Sequence, residues 1–107
     1  MLASALVACS ASSVAPATTT AGGAVSITSA FAFDPAELTV SRGASVTWTN
    51  TGSNTHTVTS GAPENPTNKF NHAVDGGKTF TVTFDQAGTF GYFCSIHLSM
   101  RGSIVVK

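Results

Sequence analysis

Ser45-Val46-Thr47-Trp48-Thr49-Asn50 decides the reading of this chain. Val46 and Trp48 alternate with Thr47 and Thr49, and a period of two belongs to an extended strand with one face in a core and the other in water. β-branched and aromatic side chains favour the same state. Working outward, runs of the same kind recur at Val25 to Phe31, Glu37 to Val40, Thr55 to Thr59, Lys78 to Phe84, Thr89 to Cys94 and Ser103 to Val106. Turn residues punctuate them, Ser41-Arg42-Gly43 before the quoted strand and Asp75-Gly76-Gly77 before Lys78. Ser60 to Lys69, with Gly61, Pro63, Asn65, Pro66 and Asn68, holds so many breakers that it reads as a loop. No window has the apolar spacing of a long amphipathic helix, and no internal repeat is present. Seven or so short strands predict an all-β fold, a two-sheet antiparallel β-sandwich.

The chain has 107 residues, 42% of them hydrophobic, which suits one domain with one core. Only 9% are charged, five basic against five acidic. That balance gives neither an electrostatic footprint for nucleic acid nor a polybasic patch for anionic lipid, so partners must be recognised by shape and apolar contact. The first charged residue is Asp34. Residues 1–8 are apolar but far shorter than the ~20 needed to cross a bilayer, and read as the remnant of a signal peptide. Leu6-Val7-Ala8-Cys9 has the small-residue spacing of a bacterial lipobox, which makes Cys9 a candidate for lipidation; a soluble periplasmic product is the alternative. Residues 9–24, rich in Ser, Ala, Thr and Gly, read as a flexible tether, and residues 25–107 as the folded domain. The expected location is outside the cytoplasm, periplasmic or anchored to a bacterial membrane by Cys9.

The chemistry concentrates in Gly91-Tyr92-Phe93-Cys94-Ser95-Ile96-His97-Leu98-Ser99-Met100-Arg101-Gly102, which places Cys, His and Met within one short loop. Phe90, Tyr92 and Cys94 alternate onto one face of the preceding strand, so the thiol should point into the end of the sandwich. Cys94 alone would be read as a buried structural cysteine. A thiolate, two imidazoles and a distant thioether, however, form a trigonal site with a weak axial bond, the ligand set that suits copper and serves electron transfer. The loop carries one imidazole, so the second must come from elsewhere. His56, at the start of a predicted strand, is one candidate, and His72, beside a turn, is the other. Zinc is the competing metal for Cys and His donors.

At these residues the chain resembles the cupredoxin family, type 1 blue copper proteins, and most closely its amicyanin and plastocyanin branch. The resemblance runs from Phe33-Asp34-Pro35 and Leu38-Thr39-Val40 through Val46-Thr47-Trp48-Thr49-Asn50 and His56 to Tyr92-Phe93-Cys94, His97, Met100 and Gly102. It implies a Greek-key sandwich, one copper ion, and His56, Cys94, His97 and Met100 in the four ligand positions. The Cys-x-x-His-x-x-Met spacing is similar to the short amicyanin loop. Prolines that often flank the second His in that family are here Ile96 and Leu98, and Ile96 thereby regains an N–H that could point at the Cys94 sulfur. Thr57 stands where many relatives have Asn, and its hydroxyl is expected to reach Ser95. His72 reads as a surface histidine, Trp48 as core, and Phe93 as packing rather than an electron route.

The implied function is a one-electron carrier that docks transiently with redox proteins near His97, through an apolar rim of Leu98, Ala62 and Pro63, and acts as a monomer. A nucleophile with its base, paired carboxylates or an open metal position would mark an enzyme, and the sequence offers none of them. The alternative is a copper-binding or copper-trafficking lipoprotein without redox turnover. A metal-free adhesion sandwich does not account for the ligand set, and a multicopper oxidase needs more histidines than three.

Overall fold

The computed structural model describes residues 22–107. The expected signal remnant, Cys9 and all but the end of the tether lie outside the described residues. Nine strands follow in chain order: β1 (Gly23–Thr28), β2 (Ala32–Asp34), β3 (Glu37–Val40), β4 (Ala44–Asn50), β5 (His56–Ala62), β6 (Asn65–Val74), β7 (Thr79–Phe84), β8 (Gly88–Phe93) and β9 (Arg101–Val106). They form a four-stranded sheet in the order β2-β1-β4-β7 and a five-stranded sheet in the order β3-β9-β8-β5-β6. No helix occurs among the described residues. The all-β sandwich stands as expected, with one refinement: both sheets are mixed, because β1 runs parallel to β4 and β3 parallel to β9.

Alternation builds the core between the sheets. Val46 and Trp48 of β4 point inward together with Val25, Ile27, Val58, Tyr92, Cys94, Met100, Ile104 and Val106. Trp48 lies edge-on to Tyr92, ring centroids 5.2 Å apart, an arrangement that aromatic quadrupoles favour. Trp48 is core, as its strand position predicts. Tyr92 continues the contact edge-on to Phe33 at 4.7 Å. The outward faces of β4 and β7 are joined instead by threonine and serine hydroxyls, Thr47 to Thr81 at 2.9 Å and Ser45 to Thr83 at 2.8 Å.

The structure departs from the sequence reading in three places. Gly23 and Ala24, assigned to the tether, begin β1, because the parallel ladder with β4 extends back to Gly23 opposite Val46. Ser60 to Lys69, read as a loop, is largely strand. Gly61, at φ 101°, takes up an irregularity that would otherwise end β5, and an added Cβ would lie 2.6 Å from the Asn65 carbonyl oxygen. The displaced backbone of β6 is satisfied by a side chain, since Ser60 Oγ accepts from the N–H groups of both Lys69 and Phe70. The third departure is at Val25 to Phe31. The strand stops at Thr28 and the chain turns through Ser29-Ala30-Phe31 into β2, with Phe31 N–H donating to the Thr28 carbonyl at 3.0 Å. Phe31 sits at φ 62°, a left-handed conformation that costs a bulky residue about 1–3 kcal/mol.

Candidate metal centre

Two separated segments supply the donors. His56 opens β5, whereas Cys94, His97 and Met100 belong to the connection from β8 to β9. β5 and β8 pair antiparallel, Thr59 with Phe93 and Ser60 with Tyr92, so the start of one strand lies beside the end of the other. Asn50 secures the His56 segment. Fully buried, its amide donates to the carbonyls of Asn54 (2.6 Å) and Val74 (2.9 Å) and accepts from the Gly52 N–H (2.9 Å), so the loop between β4 and β5 is pinned at both ends. The β8–β9 loop closes on itself, with Cys94 N–H donating to the Met100 carbonyl at 3.0 Å and Met100 N–H to the His97 carbonyl at 2.9 Å. That closure returns Met100, only 2% exposed, to the end of the core that holds Cys94.

The sulfur is the meeting point. Cys94 Sγ lies 3.8 Å from His56 Nδ1 and 3.8 Å from His97 Nδ1, and the ligand atoms of the three residues all fall within 4.8 Å of one another. Bonds of about 2.0 Å to nitrogen and 2.3 Å to sulfur meeting at roughly 120° span about this distance, so a first-row metal ion fits a trigonal position among them. Of the two candidates for the upstream imidazole, the structure brings His56 to the sulfur. His72 is exposed and stacks on Phe80 at 4.6 Å and 8°, away from the cluster.

A backbone donor also reaches the sulfur, but it is not the one expected. Among the described residues it is the Thr57 N–H, at 3.4 Å, and not that of Ile96. The register of β5 against β8 explains this: the amide after His56 faces across the gap between the strands, while Ile96 lies in the turn beyond. The Thr57 hydroxyl does reach Ser95, accepting from its N–H at 2.7 Å and bonding its hydroxyl at 3.1 Å. Thr57 thus ties the two ligand segments together twice, by backbone to sulfur and by side chain to loop. Phe93, on the face opposite Cys94, is buried but outside the main core, in keeping with a packing role.

The model of the copper-binding proteins of the plastocyanin/azurin family matches residues 21–107. The chain belongs to that family. Plastocyanin of Scenedesmus fuscus is 32% identical over 87 residues, 73% of this chain and 89% of its own length. Amicyanin-alpha of Methylorubrum extorquens is 32% identical over 76 residues, 70% of this chain and 64% of its own. The solved structure of a purple cupredoxin from Nitrosopumilus maritimus superposes with a TM-score of 0.73 at 26% identity, covering 79% of this chain and 99% of that one. Family membership decides between the metals that a Cys and two His admit: the cofactor is copper, and the function is electron transfer.

The site reaches the surface through His97, which is half-buried. Leu98 and Ile96, each 52% exposed, and Phe31, 44% exposed, are the large apolar side chains left in water among the described residues. The sequence reading included Leu98 but missed the other two. Ile96 was legible as a non-proline in the loop, whereas nothing in the sequence marked Phe31, whose place depends on a turn that its own side chain disfavours. Arg101 braces the rim, with Nε donating to the Leu98 carbonyl at 3.3 Å and Nη2 lying 3.8 Å from Glu64 in the turn after Ala62 and Pro63.

Burial holds the His56 imidazole below its ordinary value of 6.5, and the neighbouring His97 adds to the effect. The folded chain therefore resists protonation at His56 while the unfolded chain does not. Its contribution to stability is intact above about pH 6.5 and is lost as the pH falls through that value toward the lower folded one. Urea unfolding of the metal-free protein between pH 8 and 5 is expected to show a midpoint that falls with acidity, and His56→Gln is expected to flatten that dependence.

Proposed function

We propose that His56, Cys94, His97 and, more weakly, Met100 would hold one copper ion, and that the chain passes single electrons between redox proteins through the exposed edge of His97. The convergence of two Nδ1 atoms on one buried sulfur carries this reading. Copper supplies the one-electron change between its cuprous and cupric states. The protein's part is to keep the donors still. The Thr57 N–H fixes the thiolate, the Thr57–Ser95 pair joins the two ligand segments, and the Cys94–Met100 closure sets the loop. Donors held in one arrangement keep rearrangement between the two oxidation states small.

Among the described residues this is the single cluster of its kind, and the buried Met100 on the same closed loop supplies a further donor, which supports a carrier rather than an enzyme. A metal-buffering role would draw on exposed Met or His clusters. Among the described residues His72 stands apart, paired with Phe80, and Met100 is buried. The rim of Phe31, Ile96 and Leu98 suits brief docking on an apolar patch of a partner, and with so few charges the carrier would work as a monomer with little electrostatic steering. The lipobox spacing at Leu6 to Cys9 supports a periplasmic lipoprotein swung from the membrane on its tether. Intact mass of the protein purified from a bacterial membrane is expected to show lipid on Cys9, and an unmodified thiol there would discard the anchor.

Addition of copper(II) to the metal-free protein is expected to give an intense blue thiolate-to-copper band that a mild reductant bleaches and that Cys94→Ser lacks. A colourless complex would overturn the copper assignment. Leu98→Glu is expected to slow electron self-exchange, read from NMR line broadening in mixtures of the two oxidation states, because it sets like charges face to face when two rims meet. An unchanged rate would remove the rim from the docking surface.

A further inference from the structure

Among the described residues Phe31 is the one aromatic side chain placed over both imidazoles. Its ring centroid lies 4.6 Å from that of His97 at a tilt of 31°, and 5.5 Å from that of His56 nearly edge-on at 72°. The two imidazoles are themselves 4.9 Å apart, so the three rings form one cluster with Phe31 on its outer side. Its backbone makes the choice of residue informative. The β1–β2 connection is a three-residue hairpin loop closed by the Phe31 N–H to Thr28 carbonyl bond, and its last position is left-handed, where glycine or asparagine is preferred. The chain carries instead one of the bulkiest side chains available. The turn is thus strained by a residue that its own geometry does not ask for, and the ring contacts with the two histidines are what that residue adds.

The surroundings hold the turn in place. Thr51 donates to the Ile27 carbonyl from its N–H at 3.0 Å and from its hydroxyl at 3.2 Å, which fastens the end of β1 to the start of the loop that delivers His56. Gly52, next along that loop, lies so close to Ser29 that an added Cβ would sit 3.2 Å from the Ser29 Cα. The Phe31 turn and the His56 loop are therefore packed backbone to backbone.

We propose that Phe31 is a positioning residue, an aromatic clamp that holds the plane of the His97 imidazole against rotation and keeps water from its flank, and so slows loss of the metal from the site. The proposal rests on the ligand assignment made above. His97 needs such support more than His56, which is 1% exposed and enclosed by the sheet, whereas His97 stands on a loop at the surface without flanking prolines. Tilted stacking at 4.6 Å restrains the ring while leaving its edge open to a docking partner.

The test uses the full chain in three variants. Phe31→Gly removes the clamp and suits the left-handed turn, so thermal unfolding of the metal-free protein is expected at the wild-type temperature or above, which rules out a folding defect. Transfer of copper(I) from the same variant to bathocuproine disulfonate is expected to speed up by about tenfold, the scale of one aromatic pair. Proton NMR of the metal-free wild type is expected to show the His97 ring signals displaced upfield by the Phe31 ring, and Phe31→Gly to return them to ordinary values. Phe31→Tyr is expected to restore slow transfer and Phe31→Leu to fail to do so. Wild-type transfer rates in Phe31→Gly, or full restoration by leucine, would overturn the clamp while leaving the copper site intact. A wild-type protein without a thiolate-to-copper band would overturn the ligand assignment and the clamp with it.

Discussion

The short antiparallel contact between β5 and β8 is the constraint on which the rest depends. Two residue pairs, Thr59 with Phe93 and Ser60 with Tyr92, bring together two segments 38 positions apart in the chain and set their register. A slip of β5 by one residue would turn His56 to the outer face and bring Thr57 inward beside Cys94, dismantling the site without breaking a strand. The core guards against that slip. Val58 and Tyr92 lie between the sheets with Cys94, and Tyr92 is wedged between Trp48 and Phe33, so the hydrophobic packing and the donor set demand the same register.

The site combines a rigid half with a half fixed by local contacts. His56 arrives on a strand whose approach is pinned by the buried Asn50 amide. His97 arrives on a loop with no strand to hold it, and its contacts are local: the loop's own closure, the Thr57 bridge to Ser95 and the neighbouring Phe31 ring. This division matches the task. The buried side conserves geometry, and the half-exposed side suits the electron exit proposed at His97.

Much of this was legible in the sequence because it depends on alternation and spacing. Glu37–Val40 was read to the residue, the strands at Ser45–Asn50 and Lys78–Phe84 to within one, and the loop from Cys94 to Met100 announced its donors by their identity. What stayed hidden depends on contacts between distant segments. Two parallel pairings, β1 with β4 and β3 with β9, leave no mark in a single sequence. The strand character of Ser60 to Lys69 was masked by Gly61 and two prolines, whose effect is absorbed by one serine hydroxyl accepting from two amides. The donor to the sulfur was misplaced onto Ile96 because loop spacing carries no information about which strand amide lies opposite. Phe31 was invisible for a related reason, since a residue chosen against its local conformation cannot be found by rules about local conformation.

The pairing of β9 with both β8 and β3 has a consequence for how the molecule comes into being. Met100 immediately precedes β9, and the loop it closes is fixed only when β9 fills the place between its two neighbours. On a ribosome the chain emerges in order, and contacts between distant segments must wait for the later one. His56 is therefore made well before β8 exists to pair with its strand, and a metal ion met at that stage would find one imidazole without the sulfur that faces it in the finished fold. The donor set is thus a property of the completed fold, and no stretch of the growing chain carries it alone.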